Sequence, residues 1–73
     1  MAFVTTTVNG HPVSSDLKEF VCQSVDDISK LPKKGISGTQ ETGDNEPCAI
    51  GSMALVSTGE IFVLFPNNEW CKV

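Results

Sequence analysis

The chain has 73 residues, nine acidic and five basic, for a formal charge of −4. All five bases are lysines; without the arginine fork that grips phosphates and base edges, and with an acidic balance, nucleic acid is excluded as the expected partner. The longest apolar run, Ile61 to Phe65, is too short to span a bilayer, and the opening "MAFVTTTVNG" lacks the basic flank and long apolar core of a secretory signal, so no membrane association is expected.

Residues 1–73 are expected to form a single domain. A domain this small buries a modest share of its surface and commonly adds disulfides, a metal or oligomerisation. Cys22, Cys48 and Cys71 are odd in number, which argues against a disulfide framework. No two of them stand at CxxC spacing and the single histidine, His11, is distant, so neither a metal nor any other cofactor is expected. Elimination leaves oligomerisation or binding to a larger assembly, with free thiols in a reducing cytoplasm.

In chain order, residues 1–23 open with "FVTTTVNGHPV". Val4 to Val8 are all β-branched and suit a strand. Asn9-Gly10 is a hairpin turn signal, and Pro12 confines the returning piece to an edge. "SSDLKEFVCQSVDDISKLP" has two readings. It is one helix from Asp16 to Lys30 capped by Ser15, or a strand Leu17 to Gln23 followed by a short helix over 24–32, with Ser24 as cap and Asp27 completing a capping box. Pro32 stops the helix in both. Residues 33–50 form a long polar loop broken by Gly35, Gly38, Gly43 and Pro47; within it Lys33 to Glu46, with Ile36 its main apolar residue, is expected to be the most mobile or most partner-dependent segment.

Residues 51–73, "GSMALVSTGEIFVLFPNNEWCKV", carry three strands separated by Thr58-Gly59 and Asn67-Asn68 turns, the spacing of an antiparallel meander. In the middle strand Ile61, Val63 and Phe65 alternate with Glu60, Phe62 and Leu64. Both faces are apolar, so the strand is expected to be central and covered on both sides, with Ile61, Val63 and Phe65 carrying much of the core. The expected fold is α+β, mainly β: a small antiparallel sheet with an N-terminal hairpin, one short helix and the C-terminal meander.

The polar residues form no catalytic constellation. His11 reads as a solvated turn histidine without a nucleophile or orienting partner. Asp44, Asn45 and Glu46 lack the ligand offsets of a calcium loop. Asp26 and Asp27 point in different directions from a helix and serve its N-terminus. The glycines match no phosphate loop. Cys22 and Cys71 are expected as small core hydrophobes, and loop Cys48 as the reactive thiol. Trp70 reads as core or as an interface anchor. Phe3 and Val4, on a free N-terminal strand, read as residues for sheet-edge addition to a neighbour, or as core.

Two stretches carry a family resemblance. "SVDDISKLP" presents Asp26, Asp27, Leu31 and Pro32; "CAIGSMALVSTGEIFVLFPNNEWCKV" presents Gly51, Ser52, Ala54 and Val56, then Ile61, Phe62 and Leu64, then Asn67, Asn68, Glu69 and Trp70. Over residues 18–73 this pattern resembles small structural proteins of tailed bacteriophages, in particular short head-fibre and capsid-associated, decoration-like virion proteins. Phe62 stands where that pattern more often has tyrosine, and no fibrous extension follows Trp70, which favours a compact component over a long fibre. The resemblance implies a non-enzymatic virion protein made in the bacterial cytoplasm, present in many copies as a homo-oligomer, and attached to the major capsid protein or another virion surface. Phe3, Val4 and Trp70 are the expected interface residues. The alternative is a small acidic phage or bacterial regulator that binds one host protein; a small hydrolase ranks behind both.

Overall fold

The computed structural model describes residues 2–9 and 17–73. Five strands, β1 (Phe3–Asn9), β2 (Leu17–Cys22), β3 (Met53–Val56), β4 (Ile61–Leu64) and β5 (Trp70–Lys72), form one sheet in the order β1-β2-β3-β4-β5. A short 3-10 helix, Val25–Lys30, follows β2. The α+β, mainly β expectation holds, and so does the division of residues 17–32 into a strand and a separate helix. Ser24 starts that helix: its backbone N–H donates to Asp27 Oδ2 at 3.1 Å, the reciprocal arm of a capping box. The Asn9-Gly10 turn, His11 and the returning piece at Pro12 lie outside the described residues.

β1 and β2 pair antiparallel, as do β3, β4 and β5. Between them β2 and β3 run parallel, with Phe20 opposite Ala54 and Cys22 opposite Val56. The sheet is therefore mixed, a feature that the expectation of an antiparallel sheet did not contain. A parallel join needs a crossover, which the helix and the long loop supply. Those segments pack on one face.

The face they cover holds the core. Phe3, Phe20, Cys22, Ala54, Val56 and Leu64 come from the sheet, and Leu31 and Cys48 from the crossover. Phe20 stands at its centre, edge-on to Phe3 at 5.4 Å and to Trp70 at 6.0 Å between ring centroids. The Trp70 indole N–H donates to the Pro32 carbonyl at 3.0 Å, tying the last strand to the end of the helical segment.

Two expectations need correction. In β4 the core-facing residues are Phe62 and Leu64; Ile61 and Phe65 are exposed and Val63 is half-buried on the opposite face. Among the described residues the strand is covered on one side, because the crossover packs on that side only. The loop is also more firmly held than its few apolar residues suggest. Gln40 is buried, its Oε1 accepting the N–H groups of Ala2 and Phe3 at 2.9 and 3.1 Å. Asn45 brackets Gln40, donating to its carbonyl and accepting its N–H. Thr39 N–H reaches the Lys30 carbonyl and Gly38 N–H the Asn45 carbonyl. Side-chain amides and backbone groups hold this segment in place of apolar burial.

Candidate functional site: the uncovered sheet face

Alternation in β2, β3 and β4 sends every second side chain away from the core. Val4 pairs with Val21, Val21 with Leu55 and Leu55 with Ile61, so four aliphatic residues form a row across four adjacent strands. Val73, whose N–H donates to the Ile61 carbonyl at 2.9 Å, extends that row beside β5. A second row runs Glu19, Met53, Val63, Cys71. Leu17 and Phe65 flank the rows. Val4 is 50 % and Leu55 46 % exposed, far above the 0–1 % of the opposite face's Phe3, Phe20, Ala54 and Leu64. Glu19 is the one ionisable carboxylate in the two rows. Large exposed apolar patches on soluble proteins commonly serve as interaction sites, and this face is the candidate here.

The expected interface residues do not gather there. Val4 does. Phe3 is 1 % exposed and belongs to the core, and the outward N–H groups at the start of β1 are already taken by Gln40. A loop covering a strand edge in this way blocks strand addition at residues 2–3. Trp70 is half-buried on the core side, with its polar atom satisfied by Pro32; its remaining exposure lines a groove with Val25, Ile28 and Phe62. Val21, Met53 and Leu55 are the members of the uncovered face that sequence reasoning missed. Their signal was the alternation of Leu17, Glu19, Val21 and of Met53, Leu55; it was masked because the intervening residues are largely apolar as well.

The thiols are rearranged relative to expectation. Cys22, Cys48 and Cys71 are all unpaired. Cys48 is fully buried with its thiol aimed at the Pro32 carbonyl at 3.6 Å, and burial pushes its pKa up. Burial, and secondarily the Asp27 carboxylate, push the Cys22 thiol up to about 11. Cys71, expected in the core, is the more accessible thiol and sits in the second row of the open face. The accessible thiol is therefore Cys71 and not Cys48, and the two core thiols are both desolvated and shielded.

Behind the sheet, Lys18 is a buried cation. Its Nζ donates to Asp44 Oδ2 and to the Glu46 carbonyl, both at 3.3 Å, while its backbone N–H donates to Ser52 Oγ at 3.1 Å. Asp44 also accepts from the Thr5 hydroxyl and the Glu46 N–H. Burial alone would raise the Asp44 carboxyl; those donors and the Lys18 charge outweigh it and hold it below its ordinary value. The cluster joins β1, β2 and the long loop and directs its charged atoms at one another. Comparison with protein-family models, with curated proteins and with solved structures finds no match for this chain.

Proposed function

We propose that this protein is a non-enzymatic structural module that docks through its uncovered sheet face onto another protein surface in a larger assembly. The observation that carries the reading is the row Val4, Val21, Leu55, Ile61, four aliphatic residues in register on four strands and left open to solvent. The resemblance to small phage virion proteins makes a virion the assembly of choice, with the major capsid protein or another virion protein as the surface and many copies present. Under that reading the protein is made in the bacterial cytoplasm and ends on the particle. The acidic-regulator alternative keeps the same face but gives it a single host protein as partner.

The two readings part on stoichiometry. A protein inventory of purified particles should contain this chain at a fixed ratio to the major capsid protein, and the Val63→Asp variant, folded by circular dichroism, should be missing from them. Absence of the wild-type chain from particles would reject the virion reading and leave the regulator. A Val63→Asp variant that still joins particles at the wild-type ratio would reject the face.

A further inference from the structure

We infer that the occupant of the uncovered face is the same face of a second copy, packed sheet on sheet about a two-fold axis that runs along β3. The inference rests on the docking reading above and narrows it: the surface that this face meets is a second copy, and the larger assembly is joined by the dimer through its other surfaces. Among the described residues none lies over this face, because the crossover is committed to the other side. The two longer extents of the molecule, 29 × 26 Å, cap a flat face at about 750 Å2, close to the ~800 Å2 that each partner gives to an interface of standard size. Even the full outline of one copy thus only reaches the area that a stable dimer needs, so a stable contact must use nearly the whole face. A partner of identical shape uses all of it.

The strand order also suits self-packing. β3 is the middle strand of five, so an axis along it sets β3 on the partner's β3 and β2 on the partner's β4, with strand directions aligned as in face-to-face sandwiches. Leu55 then meets the partner's Leu55, Met53 meets its copy, and Val21 meets the partner's Ile61. Glu19 decides between this axis and one at right angles to the strands. The perpendicular axis through the second row would set carboxylate on carboxylate. The axis along β3 separates the two Glu19 residues, setting each over the partner's Val63, with about 14 Å between their backbone positions for strand and sheet spacings of ~4.8 and ~10 Å. Side-by-side growth through β1 is opposed by Gln40, which occupies the strand's outer N–H groups at residues 2–3. A two-fold face contact uses the same surface on both copies and so closes at two.

Sedimentation equilibrium of the full chain, up to about 1 mM, tests this directly. The wild type should pass from monomer to dimer with no larger species. Leu55→Asp, which meets itself across the axis and so counts twice, should weaken dimerisation at least ~100-fold. Glu19→Gln removes the one charge of the two rows and should tighten it roughly 10-fold. The rate of Cys71 alkylation in wild-type protein should fall as dimer forms, because β5 lies over the partner's β1; this readout stands even where Leu55→Asp fails to fold. A wild type that stays monomeric, a series larger than dimer, a folded Leu55→Asp that dimerises normally, a Glu19→Gln that dimerises no better, or Cys71 labelling indifferent to dimerisation would each overturn the inference. A monomeric wild type that still joins particles through this face would overturn the dimer and leave the docking reading intact.

Discussion

The buried Lys18 makes a prediction that is asymmetric in its two partners. Its ammonium has two acceptors, Asp44 Oδ2 and the Glu46 carbonyl, and Lys18 is only 5 % exposed. Asp44→Ala leaves that charge in place with one neutral acceptor, and an uncompensated buried charge costs about 3–5 kcal/mol in a fully desolvated site. Asp44 itself is 36 % exposed at the side chain, so water can partly replace it; about 2–3 kcal/mol is the expected loss. Lys18→Met keeps the stem against the core, removes the buried charge, and leaves behind acceptors that water can reach. Its cost should be under about 1 kcal/mol. For 73 residues total stability is roughly 4–11 kcal/mol, so Asp44→Ala removes a large fraction of it and Lys18→Met does not. Urea denaturation separates them, with a midpoint drop of about 2–3 M for Asp44→Ala at a slope near 1 kcal/mol per M. Adding Lys18→Met to Asp44→Ala should restore part of the loss. Equal costs for the two single variants, or no recovery in the double, would refute the view that the loop is latched by a charge rather than by the lysine's stem. The same site sets an acid limb. A folded carboxyl held below its ordinary value contributes fully above the unfolded value, near pH 4, and its contribution is lost as pH falls through the lower folded value. Wild type should lose stability over that range, and Asp44→Ala should lose less.

Two further predictions concern packing and reactivity. Under native, dilute conditions an alkylating reagent should modify Cys71 well before Cys22 or Cys48; comparable rates at all three would show that the core opens freely. At Gly38 an added Cβ would sit 2.7 Å from Asn45 Oδ1, 2.9 Å from the Lys30 carbonyl oxygen and 3.2 Å from the Phe3 ring, so Gly38→Ala should cost about 1–3 kcal/mol and lower Tm by roughly 4–8 °C for each of them. An unchanged Tm would mean that the loop is not seated against the helix end.

Much of the architecture was legible in local chemistry. Thr58-Gly59 and Asn67-Asn68 mark the meander turns, and the structure places Gly59 and Asn68 at positive φ, 103° and 66°, where such residues are favoured. Ser24 and Asp27 mark the start of the helix. What was not legible depends on contacts distant in sequence. The parallel pairing of β2 with β3 joins residues more than thirty positions apart, and no local pattern encodes it. The facing of β4 was undetermined because Ile61, Val63 and Phe65 on one side and Phe62 and Leu64 on the other are about equally apolar. It is set by β3, where small Ala54 and Val56 take the core side and Met53 and Leu55 the open side. The loop's anchoring was not legible for a related reason: Gln40, Asn45 and Asp44 are polar in the sequence, and only the fold shows that their partners are the N–H groups at the start of β1, the backbone of the loop itself and the buried Lys18.

These features bear on one another. With the crossover segment folded onto one face and held there by polar anchoring, no described residue lies over the second face. The other side of the sheet carries Val4, Val21, Leu55 and Ile61 in register, the surface to which the proposed docking is assigned. The anchors lie behind the sheet and the residues proposed for docking in front of it, so stability and association should be separable by mutation. Asp44→Ala should lower stability, with loss of association only in proportion to unfolding; Leu55→Asp should abolish association with little change in stability. A variant set in which stability and association always fall together would mean that the open face is part of the monomer's own folding unit, and the separation argued from the two faces would fail.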